Sequence, residues 1–215
     1  KLQDFFDFEP SSSEILFISF SGLGLQLGMP MFEFRRALKS LPVNKLFFKD
    51  ENLSWYLTPI EGWGSDLSDK VDFIHKYIDI CDAKKVFLLG TSAGGFGAMM
   101  FANYLNIEVE CLTFGPQVFL DNELRLLLGD QRWPKLIQKI QNYEQLNLSK
   151  VPQNTLANFH IIVGSECHID VTHAFYYAMQ VQNINIHILS RGGHNPAKEL
   201  KTAGVLNSVL YNWIS

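Results

Sequence analysis

The chain has 215 residues, enough for one sizeable core and short for two ordinary domains. Its 18 Lys+Arg against 22 Asp+Glu leave a formal charge of −4, which argues against a general nucleic-acid binder, because such proteins present a basic face. Hydrophobic residues make up 47% and charged residues 19%, the composition of a folded globular protein.

The predicted elements alternate along the chain. Ser11-Ser12-Ser13 reads as a short surface lead-in, and Ile15 to Phe20 as a buried strand closed by Ser21-Gly22. Residues 31–40 read as a helix and Lys45 to Phe48 as a second strand. Leu67, Val71, Ile74 and Ile78 recur at helical spacing over 66–80, with Ser65 or Asp66 placed to cap the start. Val86 to Leu89 is a third strand, followed by Gly90 and a helix from about Gly94 to Leu105. Val109 to Phe114 and Phe159 to Val163 repeat the strand signal, with a largely helical stretch, about 121–148, between them. Asp170 to Val181 reads as a helix and Ile184 to Leu189 as the last strand. Asn195-Pro196 then opens a helix running to about Tyr211. Strands that alternate with helices and are largely apolar on both faces predict an α/β protein, with a mostly parallel sheet covered by helices on both sides. The expected organisation is one domain over 1–215 with a helical cap inserted at about 116–157.

The chemistry of such sheets sits at the carboxyl ends of the strands. Gly90-Thr91-Ser92-Ala93-Gly94 is a GxSxG segment between a strand and a helix. Small neighbours let the backbone turn sharply and lift a serine hydroxyl above the sheet. The alternatives are a tight turn with a capping serine or a phosphate loop. The glycines fall wrongly for a dinucleotide fingerprint, and no Gly-Lys-Ser/Thr is present for a Walker loop.

A serine nucleophile needs a base and a group that orients it. His194, in Arg191-Gly192-Gly193-His194, follows the last strand and is the expected base. His75, His160 and His187 fall inside elements. His168 and His173 flank Asp170 with no further ligand nearby, so no metal site is expected. Asp170 is the expected acid, with helix capping as its plain alternative and Glu166 as its rival. The amides of Ala93 and of Leu23, with Gly22 second, are the expected oxyanion donors. Trp63 and Trp133, with Gly22, are the expected substrate-binding residues, aromatic faces suited to a sugar ring; simple packing is their alternative.

Taken together, Ser92, Asp170 and His194 in that chain order resemble the α/β-hydrolase superfamily from about Ile15 onward. The resemblance implies a nucleophilic serine, an acyl-enzyme and no bound cofactor for the chemistry. Phe114-Gly115-Pro116-Gln117, Asp130-Gln131-Arg132-Trp133, Asp170-Val171-Thr172-His173-Ala174 and Arg191-Gly192-Gly193-His194 are similar to segments of a narrower group. That group is the small hydrolase-fold proteins of bacterial surface polysaccharides, capsule O-acetyltransferases among them. It implies a carbohydrate or small acyl-ester substrate, with acetyl-CoA as an acyl donor. The sequence departs from the wider pattern in having Ser21 where many hydrolases carry the histidine of an oxyanion turn, and in an acid displaced along its loop. Esterase or carbohydrate deacetylase activity is the alternative, and an inactive binding module the further one.

No secretory signal is read at the start. The uncharged run Ile15 to Phe32 is interrupted by Gly22, Gly24, Gln26, Gly28 and Pro30, a poor transmembrane span. Cys81, Cys111 and Cys167, odd in number and widely spaced, suggest a reducing compartment. The expected location is therefore cytoplasmic, with peripheral contact at the inner membrane face through Leu23 to Phe32 as the variant reading.

Overall fold

The computed structural model describes residues 5–24 and 32–214. One sheet holds β1 (Phe6–Glu9), β2 (Ile15–Phe20), β3 (Asn44–Phe48), β4 (Lys85–Thr91), β5 (Val109–Phe114), β6 (Ala157–Gly164) and β7 (Ile184–Leu189). The strands lie in the order β1-β3-β2-β4-β5-β6-β7. β1 runs antiparallel to β3, and every other neighbouring pair is parallel. The helices are α1 (Leu67–Ile80), α2 (Ala93–Tyr104), α3 (Asn122–Leu128), α4 (Pro134–Ile137), α5 (His168–Ala178), α6 (Pro196–Thr202) and α7 (Leu206–Ile214).

Two apolar layers follow from the period of two along each strand. In β2, Leu16, Ile18 and Phe20 point into the larger layer, shared with Ile74 of α1, Phe96 and Phe101 of α2, and Ala174 and Tyr177 of α5. Phe17, between them, enters the opposite layer with Leu206 and Leu210 of α7. Burial on both faces is why the central strands β2 and β4 lack the polar alternation of a one-sided sheet. The parallel α/β architecture expected from the sequence is thus the architecture found.

Several expected elements differ in detail. β1 was not expected: Phe6-Asp7-Phe8-Glu9 is half-buried at the sheet edge, and its alternating acids hide the apolar signal. Of the helix expected over 31–40, residue 31 lies outside the described residues. The rest is a string of turns with one helical bond, Leu38 N–H to Phe34 C=O, because Phe34 sits at φ 60 and the Glu33 backbone is held elsewhere, its C=O accepting from the Ser19 hydroxyl and its N–H donating to Ser21 Oγ. The stretch 121–148 is broken by Gly129 at φ 80 and restarts at Pro134, giving α3, α4 and two 3-10 turns. Its flanks are tied by Leu120 N–H to Leu146 C=O and by Leu148 N–H to Val118 C=O. The last helix is split in two beside Gly204, at φ 74.

Candidate active site

Four turns at the carboxyl edge of the sheet bring the chemistry together. Ser92 follows β4 directly and holds φ 53, ψ −115, a conformation that costs a non-glycine residue energy and persists only where the surroundings enforce it. The Ser92 amide donates to Phe114 C=O and its carbonyl accepts from Phe96 N–H, which pins the turn. The flanking glycines answer to space: a Cβ on Gly94 would lie 2.1 Å from Phe20 O, and one on Gly90 would lie 2.2 Å from Gly94 O. Only glycine lets the start of α2 pack this closely on the sheet.

Ser92 Oγ lies 2.9 Å from His194 Nε2. His194 Nδ1 lies 2.7 Å from Asp170 Oδ2, and the Asp170 side chain is fully buried. Asp170 is not the cap of its helix: Cys167 holds that position, and Asp170 stands in the first turn of α5. Glu166 is exposed, and its amide donates to Gly192 C=O. Of the two rival acids, then, the structure brings Asp170 to the imidazole. The Ala93 amide belongs to the first turn of α2, where helix amides have no partner within the helix. Leu23 is buried beside the same edge. The Gly22 amide donates to Glu33 Oε1 at 3.2 Å, so it is already engaged. Burial pushes the Glu33 carboxyl up to about 7, against the Gly22 and Thr91 hydrogen bonds that pull it down.

Trp63 is placed elsewhere, which corrects its expected role. It is 4% exposed, stacks on Phe48 with ring centroids 4.1 Å apart, and donates from Nε1 to Lys70 C=O. Its ring is stacked among Phe5, Phe48 and Phe101, the packing of a core residue. Trp133 is partly buried at the start of α4, directly after a residue that does reach the site.

That residue is Arg132, to which the sequence pattern assigned no role. Its Nε and Nη2 donate to Asp130 Oδ1 and Oδ2, both at 2.9 Å, while Nη1 donates to Asp170 Oδ1 at 2.7 Å. Nη1 also lies 3.1 Å from His194 Nδ1. Asp130 accepts further from buried His173. Because His173 Nδ1 accepts the Val118 amide, the ring proton sits on Nε2, and His173 is a neutral donor to Asp130. Burial lowers the His173 pKa, in keeping with that tautomer. Burial would raise Asp130, but the His173 hydrogen bond and Arg132 outweigh it and hold the carboxyl far below its usual range. His173 therefore faces Asp130 and not Asp170, and it does not form a ligand set with His168. Cys167, Asp170 and His194 offer ligand atoms within 4.8 Å of one another, but the Arg132 guanidinium already occupies Asp170 and would repel a cation there. The sequence signal for this network was the set of segments that hold Gln117, Asp130, Arg132, Asp170, His173 and His194, which spacing alone does not connect to one another.

The sheet order, the helices on both faces and the turn after β4 define the α/β-hydrolase fold, and the chain has it. No protein-family model matches the chain, and no curated protein matches it in sequence. Solved structures do match. A capsule O-acetyltransferase of Neisseria meningitidis serogroup A, in complex with CoA, aligns at a TM-score of 0.68 and 17% identity over 99% of this chain and 92% of its own. The fluorophosphonate-binding serine hydrolase FphF of Staphylococcus aureus aligns at 0.63 and 13%, covering 96% and 86%. MenH from S. aureus aligns at 0.58 and 12%, covering 99% and 98%. Among the described residues, no helix is long and apolar enough to cross a membrane.

Proposed function

We propose that Ser92, His194 and Asp170 form a catalytic triad for acyl transfer. The observation that carries the proposal is the unbroken hydrogen-bond chain from Ser92 Oγ through the imidazole to a buried carboxylate. His194 Nε2 takes the proton of Ser92 as Oγ attacks the acyl carbonyl, and Asp170 stabilises the imidazolium that results. The amides of Ala93 and Leu23 receive the negative charge on the tetrahedral oxygen. Collapse expels the leaving group, which takes the proton from His194, and leaves acyl-Ser92. An acceptor hydroxyl then gives its proton to His194 and attacks the acyl carbon. The second collapse releases the new ester and returns the proton to Ser92.

The acceptor in this reading is a hydroxyl of a bacterial surface polysaccharide, and the donor is acetyl-CoA. Its support is the full-length likeness to a capsule O-acetyltransferase with bound CoA. No cofactor is needed beyond that donor, and Trp133 beside Arg132 is the residue we assign to acceptor contact. The likeness to serine hydrolases supports the second reading, hydrolysis of small acyl esters by the same three residues. One experiment separates them. Purified protein is given a chromogenic acetyl ester, with and without acetyl-CoA and a panel of capsule-type polysaccharides. Acetyl appearing on one glycan, with little acetate released in its absence, establishes the transferase; acetate release indifferent to glycan establishes the esterase.

A further inference from the structure

We infer that Arg132 is a positioning residue for the reaction: held by Asp130, it orients the Asp170 carboxylate and ties Asp130 to the triad. This rests on the triad reading above. Asp170 is fully buried and has two oxygens to satisfy. Oδ2 is committed to His194, and Oδ1 is met by Arg132 Nη1 at 2.7 Å. Without that donor, the carboxylate keeps only His194 and the weak donor of the Cys167 thiol, and it can rotate about its terminal torsion and leave the imidazole without a fixed direction.

Arg132 also brings a hazard. A lone guanidinium 3.1 Å from His194 Nδ1 would oppose the positive charge that the imidazole gains during reaction. Asp130 answers this by binding Nε and Nη2 with both oxygens, the fork-to-fork geometry in which an arginine is least mobile. Asp130 is fixed in turn by neutral His173 and by Gln117, whose Oε1 accepts from Trp55 Nε1. The set Asp130, Arg132 and Asp170 thus sums to one negative charge beside His194, the same as an isolated triad acid, with a rigid carboxylate. The loop between β5 and β6 is therefore wired to the acid, not laid over it.

The test reads the rate at which Ser92 reacts with a fluorophosphonate probe, which needs no knowledge of donor or acceptor. Wild-type protein that fails to label overturns the triad reading, and the role of Arg132 falls with it. In a wild type that labels, the variants address Arg132 alone. Arg132→Ala is expected to slow labelling about ten- to a hundredfold, the usual cost of losing an outer partner that orients a primary group. Arg132→Lys is expected to recover part of the loss, and millimolar ethylguanidinium to rescue Arg132→Ala by entering the vacated space. Labelling of folded Arg132→Ala at the wild-type rate overturns the inference. So does a loss that guanidinium does not rescue and that follows the melting temperature across the variants, for that would make Arg132 a structural clamp only. Should the alanine variant not fold, Arg132→Lys and Arg132→Gln serve in its place: a rate order of wild type, then Lys, then Gln supports the inference, and equal rates overturn it.

Discussion

Gly115 and Asp170 meet across the carboxyl edge of the sheet: a Cβ built on Gly115 would lie 3.0 Å from Asp170 Oδ2 and 2.9 Å from His194 O. Gly115 also holds φ 54, a left-handed conformation that side chains resist. Gly115→Ala therefore pushes on the acid and on the histidine loop together. We expect transfer or labelling rates to fall by roughly two orders of magnitude, since displacements of about an ångström at a reacting centre cost that much. The stability loss should be modest, of order 1–2 kcal/mol for the strained backbone. Comparing rate with melting temperature on the same sample checks both.

Ser92→Ala should leave a folded protein with activity reduced by more than about three orders of magnitude and no covalent fluorophosphonate adduct by mass spectrometry. Removing Oγ relieves no strain at φ 53, so the melting temperature should shift little. A folded variant with near-normal activity would sink the mechanism.

The identity of the acid is open to direct comparison. Asp170→Asn keeps the shape but loses the charge and offers His194 the wrong partner, and a loss of about 10⁴ in turnover is expected. Glu166→Gln, at an exposed position, should stay within about twofold of wild type. Turnover of the two variants on one acetyl ester decides between them.

Glu33 makes stability depend on pH. Its carboxyl is raised from 4.5 to about 7 in the folded protein, so below pH 4.5 both states hold the proton and no penalty applies. Between about 4.5 and 7 the unfolded chain ionises first, and Glu33's contribution falls as pH rises. Glu33→Gln should flatten this part of the curve, read as the difference in denaturant midpoint between variant and wild type across that range. Curves that stay parallel would mean that the Glu33 carboxyl titrates as an ordinary one.

Trp63→Ala should destabilise the protein by about 3–5 kcal/mol, as large-to-small changes of buried aromatics do. Phe48, Phe5 and Phe101 would each lose a stacked neighbour. At temperatures where the variant stays folded, KM for any acyl acceptor should be unchanged, which distinguishes a core residue from a sugar platform.

The alternation of strand and helix, the parallel sheet and the serine on its sharp turn are legible in the amino-acid order. Each of these rests on local demands: apolar runs such as Ile15 to Phe20 must be buried on both faces, and Gly90 and Gly94 must be small where α2 meets the sheet. The same order puts Asp170 and His194 after consecutive strands, β6 and β7, whose carboxyl ends lie side by side. Local rules falter where one residue interrupts a pattern, as Gly129 and Gly204 do, and where β1 joins the edge only because β3 is there to receive it. Folding settles the rest: Asp170 and not Glu166 faces the imidazole, Gly22 spends its amide on Glu33, and Trp63 lies in the core. Folding also carries Arg132 from the β5–β6 connection to the carboxylate on α5. The reason is physical: which loop crosses the sheet edge to meet which other is set by the packing of the whole chain, and no spacing along the sequence records that distance.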